Sequence, residues 1–156
     1  SQALVVYLLQ AVDCVRTYVG CTDNLGRRIL EHNGVYGRHR ATKQTWGHRW
    51  VVVTHIEGFA TRSDALSFEY SWRRCCRYRT AKAAPTPLGR RFAGLSRLLS
   101  APCTTRRWSA RALELQVKAH TDAVRGTLAQ YDLNGAGLQL LHSSHACGEE
   151  GKVGDA

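Results

Sequence analysis

The tightest constraint on this chain is how little of it separates its first two strand-like runs. Ala3 to Gln10, "ALVVYLLQ", is a continuous apolar run with β-branched residues, the pattern of a strand covered on both faces. Arg16 to Cys21, "RTYVGC", reads as a second strand, with only the turn at "AVDC" between them. A parallel pair needs a crossover of a dozen or more residues. The two runs must therefore form an antiparallel hairpin.

Beyond the hairpin the segments alternate in type. Asp23 or Asn24 can cap a helix from Leu25 to His32, and Asn33-Gly34 supplies a left-handed stop. Val35 to Gly47 is basic and aperiodic and reads as a loop. Trp50 to Glu57, "WVVVTHIE", is strongly β-branched and reads as a third strand. Thr61-x-x-Asp64 has the form of a capping box opening a helix to about Arg79. Beyond Pro85 and Pro87, Leu88 to Leu99 and Ala110 to Tyr131 look helical. The expected class is mixed α/β (α+β): a small antiparallel three-stranded sheet flanked by helices, in the order β-β-α-β-α, with a helical extension. The expected division is a domain at 1–82, a helical extension at 83–140 and a disordered polar tail at 141–156.

Charge narrows the partners. The net charge is +10, and residues 1–82 hold 13 Lys or Arg against 6 Asp or Glu, so +7 of it lies there. Arginine dominates, and its planar fork matches phosphate oxygens in a bidentate way. That balance points to a polyanion, most often nucleic acid. No apolar run approaches the roughly 20 residues of a membrane span, and no secretory leader is expected. The six cysteines show no disulfide-framework spacing, so they are expected to be reduced and intracellular.

Several residues can carry chemistry. Arg28 and His32 are four apart, hence on one helix face, where they can hold phosphate oxygens or move a proton. Tyr7 and Tyr18 sit on the two hairpin strands. A phenol titrates near ~10 and is a weak base unless cations lie close. Ala65, Glu69, Trp72 and Cys76 share a helical face. A carboxylate in such a stripe calls for a cation, either an arginine such as Arg73 or a divalent metal. Arg27, Arg38, Arg40, Lys43, Arg49 and Arg73 are the expected DNA contacts, with Trp46 available to stack on a base.

"VYLL" at Val6 to Leu9, "YVG" at Tyr18 to Gly20, Arg28 eight residues after that glycine, His32 and the Glu69 of "FEYSW" together resemble the GIY-YIG nuclease family. Within it, "RTYVG", "RRILEHNG" and "LSRLLSAPCTTRRW" are most similar to the catalytic subunits of eukaryotic structure-specific endonucleases that pair with a large scaffold protein. The resemblance covers about residues 1–110. It implies cleavage of branched DNA (flaps, forks, Holliday junctions) in the nucleus, in repair and recombination. Glu69 would hold Mg²⁺ or Mn²⁺. Tyr7 would be general base with Tyr18 beside the nucleophile, or the reverse. Arg28 would offset phosphate charge and His32 would orient the water or the base.

The chain departs from that branch after residue 110. A zinc finger of that branch needs paired Cys and His ligands, and no Cys-x-x-Cys occurs, so no zinc is expected and scaffold binding is in doubt. A homodimer is a further expectation. Two other readings stand: another GIY-YIG nuclease of repair-incision, phage or homing type, or a non-catalytic nucleic-acid-binding module of the same fold.

Overall fold

The computed structural model describes residues 3–100 and 106–141; the tail beyond 141 lies outside the described residues. The hairpin forms as expected. β1 (Val5–Ala11) and β2 (Thr17–Thr22) are antiparallel, and β3 (Trp50–Glu57) pairs antiparallel with the other edge of β1. Helix α1 (Leu25–His32) is capped by Asn24, whose side chain accepts from Arg27 N–H. Of the two candidate caps it is therefore Asn24 that acts.

Helix α2 (Arg62–Cys75) starts at Thr61, whose hydroxyl accepts from Asp64 N–H at 3.0 Å. The Asp64 carboxylate does not close the reciprocal half of a capping box. It is buried and bonds to Arg107 and, at 3.1 Å, to Arg111. The α2 helix stops short of the expected end and is succeeded by the short α3 (Arg79–Lys82) and by α4 (Pro87–Ser100). The α2 and α4 helices cross closely at Gly94, where a Cβ would come within 2.9 Å of Cys76 N. That contact gives Cys76 a packing role.

The region expected to be one helix from Ala110 to Tyr131 is broken up. It contains α5 (Arg106–Arg111), a 3₁₀ turn (Ala112–Glu114), β4 (Gln116–Ala119) and α6 (Asp122–Leu128), and β5 (Gly137–Leu140) comes after it. β4 adds antiparallel to β3, and β5 adds parallel to β4. The sheet therefore has five strands in the order β2-β1-β3-β4-β5 rather than three. The physical reason is the open edge of β3. Its unpaired backbone groups find partners in β4, whose inward Val117 and Ala119 are fully buried. "LELQVKA" is rich in good helix formers, and the tertiary pairing with β3 overrides that local preference.

The sheet has two apolar faces. Val6, Leu8, Val19 and Ile56 pack with Phe68, Trp72, Leu95 and Trp108 in the main core. Tyr7, Leu9, Ala11 and Trp50 form a smaller cluster on the other face, against Leu25 and Ile29 of α1. The outer strand β2 is the boundary around which groups from the two faces can meet. No helix among the described residues is long and apolar enough to cross a membrane.

Candidate active site

The strand register sets the first half of the site. Tyr7 lies opposite Gly20, and Tyr18 lies opposite Leu9, so the two phenols are diagonal neighbours on one face. Their rings are 6.3 Å apart. Gly20 has no side chain where one would collide: a Cβ there would overlap the Tyr7 hydroxyl and come within 2.9 Å of Tyr18 Cε1. The glycine of "YVG" thus makes room for the end of the Tyr7 phenol.

Helix α1 supplies the next groups. The Tyr7 hydroxyl is 2.7 Å from His32 Nε2, and His32 Nδ1 is 2.8 Å from the Thr45 hydroxyl. The Tyr18 ring lies 5.0 Å from the imidazole. Burial, with the Arg28 charge adding to it, pushes the His32 pKa down to about 4. The imidazole is then neutral at pH 7, with one nitrogen donating and the other accepting. Arg28 pairs with Glu31, donates to the Arg40 carbonyl at 3.0 Å and hydrogen-bonds the Tyr7 side chain. Burial raises the Tyr7 pKa, with Tyr18 adding to the rise and Arg28 opposing it. In the free protein Tyr7 is a phenol.

The acidic group comes from the opposite side of the sheet. Glu69 does not sit within the buried stripe of α2; Ala65, Phe68, Trp72 and Cys75 do, and Glu69 rims it with its side chain 17% exposed. Its carboxylate accepts from Arg73 at 2.7 Å. Arg73 also donates to the Val19 carbonyl on β2 at 2.6 Å, and its guanidinium stands 5.7 Å from the Tyr18 ring centre. Arg73, expected as a DNA contact, thus bridges the Glu69 carboxylate to β2 beside Tyr18. The Glu69 charge is felt at both Tyr7 and Cys21. Burial raises the Glu69 pKa, and the Arg73 charge opposes the rise.

The donor set fits a hard divalent ion. A single carboxylate with its side chain 17% exposed suits an ion that keeps several waters and takes further oxygens from a phosphate. Glu69 is the group that would hold it.

The other expected contacts are spread over one surface. Arg38, Arg40, Lys43 and Arg49 are exposed on the segment between α1 and β3, with Trp46 exposed among them. Trp46 rests on Gly34, whose φ of +81° suits only glycine well and where a Cβ would approach the indole at 3.1 Å. Arg27 is exposed and lies 3.8 Å from Asp23 and 3.6 Å from Glu31. Sequence reasoning missed Thr45 altogether, and it saw Asn33 only as part of the helix stop. Thr45 is fully buried and fixes His32, and Asn33 clamps the end of α1 to β3 through Trp50 N–H at 2.7 Å and Trp50 C=O at 3.0 Å. Asn33 directly succeeds His32, a signal the sequence did contain; Thr45 had none.

Residues 4–78 match the family described as the GIY-YIG catalytic domain. The chain is 36% identical over 75 residues to an uncharacterized protein of Acanthamoeba polyphaga mimivirus, covering 48% of this chain and 45% of that protein. It is 39% identical over 69 residues to the structure-specific endonuclease subunit slx1 of Talaromyces marneffei, covering 43% and 18%. The corresponding subunit of Aspergillus terreus is 32% identical over 112 residues, covering 64% and 29%. The chain spans less than half the length of these relatives.

Proposed function

From the membership of residues 4–78 in the GIY-YIG nuclease family, we propose that this chain is a metal-dependent endonuclease that cuts branched DNA. The observation that carries the reading is the line Tyr7–His32–Thr45, closed by hydrogen bonds of 2.7 and 2.8 Å around a neutral imidazole. A buried tyrosine hydroxyl needs a single hydrogen-bond partner; here that partner is an imidazole able to accept its proton and itself held by Thr45. A phenol that must give up a proton requires such an acceptor.

In this reading Tyr7 orients the attacking water and takes its proton as its own passes to His32. Thr45 holds the imidazole so that Nε2 faces Tyr7. Tyr18, more open than Tyr7, hydrogen-bonds the nucleophile or the phosphate. Arg28 sets its charge against the phosphate oxygens as negative charge builds. Glu69 holds a divalent ion, Mg²⁺ or Mn²⁺, which when bound stabilises the phosphate charge and the leaving 3′ oxygen. The exposed Arg38, Arg40, Lys43 and Arg49 track the DNA backbone.

The fungal relatives are named as structure-specific endonuclease subunits, which favours flaps, forks and four-way junctions as substrates and a partner subunit for the chain. In a eukaryotic cell that substrate places the reaction in the nucleus.

The test is Mg²⁺-dependent nicking of 5′-flap, fork and four-way-junction DNA by wild type and Glu69→Gln. Cutting by wild type alone is expected, with a loss of about 100- to 1000-fold in the variant. Binding of branched DNA by both proteins with cutting by neither would leave only a nucleic-acid-binding module.

A further inference from the structure

A second cluster of metal-ligating side chains shares no member with the proposed nuclease residues. Asp13 and Cys14 sit in the turn between β1 and β2, and His48 lies just before β3. One carboxylate oxygen, the thiol sulfur and one imidazole nitrogen all fall within 4.8 Å of one another. His48 Nδ1 is the meeting point, 3.3 Å from Asp13 Oδ2 and 3.8 Å from Cys14 Sγ.

These separations are those of ligands around one tetrahedral ion. With Zn–N and Zn–O near ~2.1 Å and Zn–S near ~2.3 Å, tetrahedral angles put N and O about 3.4 Å apart and N and S about 3.6 Å apart. The arrangement serves hydrogen bonding poorly by comparison. A single ring nitrogen can donate to Asp13 or accept from the Cys14 thiol but not both, and the thiol is only a weak hydrogen-bonding group. A cation between the three groups satisfies all of them at once.

The backbone holds the three groups in register. Val12 N–H donates to the Arg49 carbonyl at 2.9 Å, tying the turn to the residue after His48. Ala11 N–H donates to the Arg16 carbonyl at 3.0 Å and closes the turn itself. The His48 ring stands edge-on to the buried Trp50 at 6.0 Å, and Cys14 packs against the Tyr7, Leu9, Ala11 and Trp50 cluster. The ligand-bearing segments are therefore fixed by the fold before any ion arrives.

We propose that Asp13, Cys14 and His48 form a binding site for a borderline-soft divalent ion, Zn²⁺, with water in the fourth position. A thiolate and an imidazole select zinc over Mg²⁺, which takes oxygen ligands. Cys14 binds as the thiolate and its proton goes to solvent. The ion joins the hairpin turn to the end of the basic segment that includes Arg38, Arg40, Lys43 and Arg49. The site stands independently of the nuclease reading, since none of its ligands belongs to the Tyr7 or Glu69 constellation. Sequence spacing hides it, because Cys14 and His48 are 34 positions apart.

The test uses the full chain freed of metal, with Co²⁺ as the optical probe. A thiolate-to-cobalt charge-transfer band is expected at one equivalent, bleached by Zn²⁺ and untouched by Mg²⁺. Cys14→Ser abolishes the band although the other five cysteines remain. His48→Ala weakens Zn²⁺, measured by competition with a chromophoric chelator, by at least about tenfold. Circular dichroism shows whether each variant is folded, and Asp13→Asn serves as a second, milder ligand change. No band in the folded wild type, or an undiminished band in folded Cys14→Ser, overturns the proposal.

Discussion

Gly20 lies directly opposite Tyr7 on the paired strands, and the space its missing side chain leaves is where the Tyr7 phenol ends. The hydroxyl delivered through that space meets His32 at 2.7 Å. The glycine, the tyrosine and the histidine come from β2, β1 and α1, so the relay depends on a fold-level fit rather than on any one element.

Gly20→Ala tests that fit. The added methyl forces the buried Tyr7 phenol off its position, at a cost of about 1–3 kcal/mol for overpacking. DNA nicking should fall by about 100-fold or more while the protein still folds. Thermal unfolding and single-turnover cleavage, measured on the same preparation, separate the two effects. Unchanged cleavage would mean that the Tyr7 hydroxyl takes no part in the reaction.

Arg28→Lys should be far from conservative. Arg28 divides its guanidinium among Glu31, the Arg40 carbonyl and Tyr7, and an ammonium cannot reproduce that planar fork. The expected loss in kcat is about 100- to 1000-fold, with smaller change in affinity for uncut DNA. Binding measured in Ca²⁺ and cleavage measured in Mg²⁺ give the two numbers.

Acid should destabilise the protein between pH 6.5 and about 4. Burial lowers the pKa of His32 from 6.5 to about 4, and His120, facing His55 at 2.8 Å, is lowered to about 4 as well. The unfolded chain binds these protons first as pH falls, so stability is full above pH 6.5 and is lost across the window. His32 is 1% exposed, and at ~1.36 kcal/mol per pH unit its share is about 3 kcal/mol. Urea unfolding at a series of pH values should show this slope, and His32→Gln should flatten it. A slope that His32→Gln leaves intact would assign the acid sensitivity elsewhere.

Asp64→Ala should weaken the attachment of α5 to α2. The buried carboxylate holds Arg107 and Arg111 of α5 against the start of α2. Both arginines are more than a third exposed and recover water when it is removed, so the cost is about 1–3 kcal/mol rather than that of a stranded charge. A lowered unfolding midpoint is expected. Proteolytic cleavage within α5 should also become faster while cleavage within β1 to α2 stays slow.

The sequence by itself determined the hairpin, α1, β3 and the start of α2. It also determined that Arg28 and His32 share a helix face. Each of these comes from rules acting over a few residues: a turn too short for a crossover, an Asn or Thr at a helix start, a spacing of four. Only the tertiary structure decided that Glu69 rims its stripe, that Arg73 ties it to β2, and that Thr45 fixes His32. The same holds for Cys14 meeting His48 and for "QVKA" joining β3 as a strand. In each of these cases the partners are set by which backbone edge is open and which face is buried. Those conditions exist only once distant segments have closed on one another, and neither local propensity nor residue spacing records them.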